Sequence, residues 1–151
     1  MIFVECRSDE VLVRSLGIPR REVVHASGKS GVCRRLERSR GSKGLVDEDP
    51  HSAQPPYMRS LILVAATNDV KILRDPRRGN YLIVLCLRLE EWVLEAARRA
   101  GVSLRDYGLP EDGESLHEVI NLRVSRFSRL ILDLRVRSGM MRYLEKALKD
   151  P

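Results

Sequence analysis

The sequence predicts a compact three-layer α/β fold with a mainly parallel sheet and C-terminal helices. Three observations lead there. Short apolar runs alternate with helical patterns over residues 1–46, joined by short turns. Two further apolar runs of strand length follow at 61–66 and 81–87. Helical patterning then dominates from about Leu116 to Lys149.

Residues 1–5 read as a short apolar strand, MIFV, that ends in Glu5. Ser8 is the expected N-cap of a helix, with Asp9 and Glu10 in its first turn, where they favour the helix dipole. Val11, Leu12 and Leu16 give that helix a buried face, and Gly17 and Pro19 close it. A second strand is expected at 22–26. A second helix runs from Ser27-Gly28-Lys29-Ser30-Gly31 to about Ser39, with Val32, Cys33 and Leu36 facing inward. Leu45 and Val46 begin a third strand that runs into Asp47-Glu48-Asp49-Pro50.

A Pro-rich loop fills 50–58, and 61–66 is a strand. Residues 68–80 read as a polar connection with a short strand at 70–73. Residues 81–87 are another strand and 89–100 a helix, with Leu89, Trp92 and Val93 on one face and Gly101 at its end. Residues 103–115 read as loop. Two helices broken at Ser138-Gly139 complete the chain; alternation at Leu130, Leu132, Leu134 and Val136 also suits a strand, but the stripe of Val124, Phe127, Ile131 and Leu134 favours helix. No internal repeat is evident.

Length and composition bound the function. A chain of 151 residues, 43% hydrophobic and 32% charged, predicts one folded domain over 1–151, in which 1–66 bears the motifs and 81–151 supplies a strand and the helical part. No apolar run approaches the roughly 20 residues that cross a bilayer, and MIFV is too short for a signal peptide; the expectation is a cytoplasmic protein with no membrane partner. Cys6, Cys33 and Cys86 are odd in number and widely spaced, which argues against a disulfide framework or zinc spacing. Lys and Arg number 27 against 21 Asp and Glu, a net charge of +6 that suits nucleic acid as a partner.

The acidic strand ends suggest chemistry. Where the chain stays extended, Asp47 and Asp49 point to one side. Converging carboxylates repel, and a divalent cation relieves that repulsion; Mg²⁺ favours a few carboxylate oxygens completed by water and substrate phosphate. In a parallel sheet, ligand sites lie outside the carboxyl ends of the strands. Glu5 ends the first strand and Asp47 the third, so both belong to one sheet edge.

The segments VECRSDE, GLVDEDP and LRLEEWVLEA carry a family resemblance. A strand ending in V-E-G-x-S/T-D, then helix, strand, helix, and a strand ending in D-x-D, resembles the layout of the TOPRIM domain, a Rossmann-like core. The third segment resembles the one that follows this core in small stand-alone proteins near the OLD-family nuclease branch. The resemblance covers 1–60 well and 81–100 loosely. It implies a Mg²⁺- or Mn²⁺-dependent enzyme acting on phosphodiester bonds, most simply a nuclease. Glu5 would match the family's acid/base or metal-binding glutamate, and Asp47 and Asp49 its metal ligands; Asp9 falls where a further acidic residue is common. The family usually has Gly where this chain has Cys6. The alternative is a non-catalytic module on the same fold that binds nucleic acid or protein.

Lys29 and the arginines Arg34, Arg35 and Arg38 are the candidate contacts to a DNA or RNA backbone, with Arg123, Arg126 and Arg129 as a further basic set. An ion-paired surface would have the same composition. Gly28-Lys29-Ser30 is not a P-loop, because Val23 stands where the motif needs Gly. His25, His51 and His117 lack ligand spacing, and Tyr57, Tyr81, Tyr107 and Tyr143 carry no nucleophile motif. Trp92 reads as core. A homodimer or a partner protein remains compatible with the chain.

Overall fold

The computed structural model describes residues 1–49 and 54–150. Six strands, β1 (Ile2–Val4), β2 (Val23–His25), β3 (Lys43–Asp47), β4 (Ile62–Thr67), β5 (Val70–Asp75) and β6 (Asn80–Leu85), form one sheet in the order β2-β1-β3-β6-β5-β4. The first four in that order are parallel, and β5 and β4 join antiparallel. Seven α-helices accompany it: α1 (Arg7–Ser15), α2 (Gly28–Glu37), α3 (Pro56–Arg59), α4 (Leu89–Ala100), α5 (Gly113–Val119), α6 (Val124–Arg137) and α7 (Gly139–Lys149).

Strand periodicity divides the interior into two cores. Ile2, Val4, Leu45, Ile83 and Leu85 face α1, α4, α6 and α7. Phe3, Val46, Leu82 and Val84 face Val32, Cys33 and Leu36 of α2 and Tyr57 of α3. One sheet with a core on each side makes three layers. Gly44 explains how closely α2 can lie: a Cβ there would meet Val32 Cγ1 at 2.7 Å and Leu36 Cδ1 at 3.0 Å. Trp92 is fully buried, and its indole N–H donates to the Asn68 carbonyl at 3.1 Å, so it is core as its helical face predicts.

Several expectations change in detail. Cys6, not Ser8, is the N-cap of α1; Asp9, at the third helical position, accepts the Cys6 N–H at 3.1 Å. The polar stretch 68–80 holds the whole of β5, not a short strand. Asn68 and Asp69, at φ 55° and 54°, make the two-residue turn that folds β4 back onto it. The expected loop at 103–115 contains a 3-10 turn at Leu104–Tyr107 and the start of α5, capped by Asp112 accepting from Ser115 N at 2.8 Å. The chain also breaks between α5 and α6, a third helix beyond the two expected. Residues 124–137 are helical.

The apolar strand at 61–66 becomes β4, a sheet edge on which Ile62, Leu63 and Val64 are about half exposed. Among the described residues no helix is long and apolar enough to cross a membrane.

Candidate functional site

Topology builds the site first. From β1 the chain crosses by α1 to β2 on one side; from β3 it leaves toward β4, β5 and β6 on the other. Adjacent parallel strands whose connections diverge leave a crevice beyond their carboxyl ends, the usual ligand position in open α/β sheets. Val4 is level with Leu45 in the register, so Glu5 emerges one residue short of Asp47 along the neighbouring strand, and both end at that crevice.

The structure brings these two carboxyl groups within hydrogen-bonding reach of each other. Burial first, then the bond to Asp47 and the charges of Asp47 and Asp9, push Glu5 up to about 9, with Lys29 acting in the opposite direction. Glu5 therefore keeps a proton at neutral pH and donates it to Asp47. The arrangement is held from outside: the Leu89 N–H, at the start of α4, donates to Asp47 Oδ2 at 3.0 Å. Asp47 thus occupies one oxygen in fixing α4 to the end of β3.

Behind the pair lies Asp9, only 2% exposed. It accepts from the Cys6 N–H and, at 3.2 Å, from the Cys6 thiol. Burial dominates nevertheless and raises Asp9 to about 7, with the Asp47 and Glu90 charges adding to it. Cys6 has φ −149° and ψ 178°, extended backbone open to any residue, so glycine is not required at this position. Burial and the Asp9 charge push its thiol up to about 12, which keeps it a donor. Cys33 is buried in the core beneath α2, while Cys86 is partly exposed.

Glu90 is a residue the sequence did not single out, and Lys29, a candidate there, proves enclosed. Glu90, 5% exposed, adds a buried carboxylate and meets His117 Nδ1 at 2.8 Å. Lys29 Nζ is enclosed and has no hydrogen-bond partner among the described residues. An ammonium without acceptors beside an acidic pair is a place for an anion's oxygen.

The remaining candidates distribute as follows. Arg34, Arg35 and Arg38 are exposed along α2. Arg123 and Arg126 instead donate to the Gly108 carbonyl, at 2.8 and 3.2 Å, and hold the 3-10 turn after α4. Asp49 is half-buried two residues past β3, and His51 lies outside the described residues. Among the described residues no three His, Cys, Asp or Glu side chains are gathered tightly enough to hold a metal ion. The structure thus brings Glu5 and Asp47 together, with Asp49 two residues further along the chain. Two carboxylates in contact fit a hard cation that takes its other ligands from water and phosphate, as Mg²⁺ does.

Comparison of the chain with protein-family models, with curated proteins and with solved structures finds no match.

Proposed function

We propose that the Glu5–Asp47 pair is the centre of a divalent-cation-dependent enzyme acting on nucleic-acid phosphodiester bonds, most simply a nuclease. The observation that carries this reading is the juxtaposition of a proton-sharing carboxyl pair with the Lys29 ammonium, which has no hydrogen-bond partner among the described residues, at the β1/β3 crevice. It agrees with the TOPRIM-like order of the motifs, and Mg²⁺ or Mn²⁺ is the proposed cofactor.

Glu5 and Asp47 would hold the cation, which when bound neutralises charge on the phosphoryl group and orients a nucleophile. The chain's own groups then divide the work. Lys29 meets a phosphate oxygen. Glu5, protonated at neutral pH without the cation, gives up that proton to become a ligand. The Leu89 N–H holds the Asp47 carboxylate in one orientation, and Asp9, buried behind them, sets the local charge. Asp49 lies on the approach to the site.

A non-catalytic binding module is the second reading. It is favoured by the structural duties these carboxylates already have: Asp47 fixes the start of α4 and Asp9 caps α1. Incubation of the protein with labelled single- and double-stranded DNA and RNA, in Mg²⁺, Mn²⁺ or EDTA, separates the two. The enzyme reading predicts cation-dependent cleavage that Glu5→Gln and Asp47→Asn abolish while both variants stay folded. Binding without cleavage under every condition, unchanged in the variants, supports the module.

A further inference from the structure

The arginines of this protein differ in how far their charge is matched. Several in the C-terminal half are ion-paired, Arg88 with Glu91, Arg98 and Arg99 with Glu95, Arg105 with Glu111, and Arg135 with Glu145, while Arg123, Arg126 and Arg142 donate to backbone carbonyls. Arg34, Arg35 and Arg38 have neither an ion pair nor a hydrogen bond among the described residues. Glu37, the only acidic residue of α2, pairs with none of them. Yet the three surround one cleft of about 580 Å³ between α2 and the end of β2, together with His25, Ser27 and Ser39.

We propose that this cleft grips the sugar–phosphate backbone of a nucleic-acid strand and leads it to the Glu5–Asp47 pair. Charge complementarity names the occupant. Three guanidinium groups held close together repel one another, and a row of phosphates supplies the missing counter-charge with bidentate geometry. Arg34 and Arg38 lie one helical turn apart on the same face, about 6 Å along the axis, so they can engage successive groups of a linear polyanion. The Ser27 hydroxyl adds a donor at one end, while the Ser39 hydroxyl at the other bonds Ser42 Oγ at 2.5 Å. Position supports delivery: Ser27 precedes Gly28, whose N–H donates to the Glu5 carbonyl at 3.2 Å. As a statement of substrate class the proposal rests on the phosphodiester reading, but the grip itself needs neither cation nor catalysis.

The test is fluorescence anisotropy with a labelled single-stranded oligonucleotide in EDTA, across a salt series, for the parent, the triple variant Arg34→Gln/Arg35→Gln/Arg38→Gln, and Glu145→Gln. All three arginines are exposed, so circular dichroism should report an unchanged fold for the triple variant. The proposal predicts at least tenfold weaker binding in the triple variant. The slope of log affinity against log salt should fall by about 2, since each single-strand phosphate contact contributes about 0.7. Glu145→Gln, which leaves the cleft residues untouched, should bind like the parent. Equal affinity and equal slope in parent and triple variant overturn the proposal, as does a poly-glutamate peptide that competes as well as the oligonucleotide at matched charge. The two claims fail separately. A parent that binds through the arginines and never cuts refutes the enzyme and leaves the grip. A parent that cuts, with binding indifferent to the arginines, refutes the grip and leaves the enzyme.

Discussion

Asp9 and Asp75 are both carboxylates sealed into the protein, 2% and 3% exposed, and they titrate in opposite directions. Asp75 lies at the amino edge of the parallel strands. Burial raises it, but the Tyr57 hydroxyl at 2.7 Å, the Arg77 and Arg78 N–H groups and the Arg78 guanidinium outweigh burial and hold it below the usual range. Its neighbour Asn80 is satisfied as well, donating to the Leu36 and Ser39 carbonyls and accepting from Ser42 N. At the carboxyl edge, Asp9 and Glu5 are raised instead, and Lys29 has no acceptor among the described residues. One edge of the sheet is closed by its own donors; the other leaves charge that a cation and a phosphate would complete. Burial alone therefore does not mark a site, and the direction in which a buried acid is pushed tells the two edges apart.

Substitutions break this comparison at either edge. The largest effect is expected at the open one: Glu5→Gln or Asp47→Asn should lower cleavage of a preferred oligonucleotide at least about a hundredfold, the scale of losing a positioned acid/base group. Thermal unfolding should change little, because in the Asp47→Asn variant the carboxamide oxygen can still accept from the Leu89 N–H. At the closed edge the effects reverse. Asn80→Ala orphans Ser42 N and removes a donor from the Leu36 and Ser39 carbonyls, and should cost about 2–4 kcal/mol in urea unfolding. Tyr57→Phe removes one donor from Asp75 and should cost about 1–2 kcal/mol. Neither should alter the cleavage rate per folded molecule.

A pH series sharpens the contrast. The folded values of Glu5 and Asp9, about 9 and about 7, lie above the ordinary 4.5 and 3.8. The native protein then holds protons that the unfolded chain releases, so these groups lower stability as pH rises from about 4 to 9. Glu5→Gln should flatten that decline and, at pH 9, be more stable than the parent by on the order of 1–3 kcal/mol. The smallest effect belongs to the paired half: Glu145→Gln, which loosens Arg135 and Lys149, should cost about 0.5–1 kcal/mol and leave oligonucleotide affinity unchanged.

Elements with a strong period were legible in the sequence, as β1, α1, α2, β6 and α4 show. The hairpin of β4 and β5 was not. Its turn is two residues, Asn68 and Asp69, and β5 alternates Lys71 and Arg74 with apolar residues because that part of the sheet is partly exposed, which makes it read as a connection. The dipeptide between two apolar stretches was the available signal. The start of α5 was written in Asp112-Gly113-Glu114-Ser115, where Pro110 and Gly113 suggested loop. The placing of Glu5 and Asp47 at one edge was readable because parallel strands end there. The burial of Asp9 and Glu90 depends on how α1 and α4 pack, and no local pattern records it. The same holds for the arginines: composition counts them, and only tertiary structure decides which find a glutamate.

Calorimetric titration of Mn²⁺ and Mg²⁺ into the protein at pH 7, in two buffers of different ionisation enthalpy, tests the central claim most directly. Glu5 must surrender its proton to become a ligand, so the account predicts one ion bound with about one proton released. Affinity should rise toward pH 9, and Glu5→Gln/Asp47→Asn should lose the ion. Binding that persists unchanged in the double variant contradicts the account, as does a folded parent that takes up neither ion even with an oligonucleotide present.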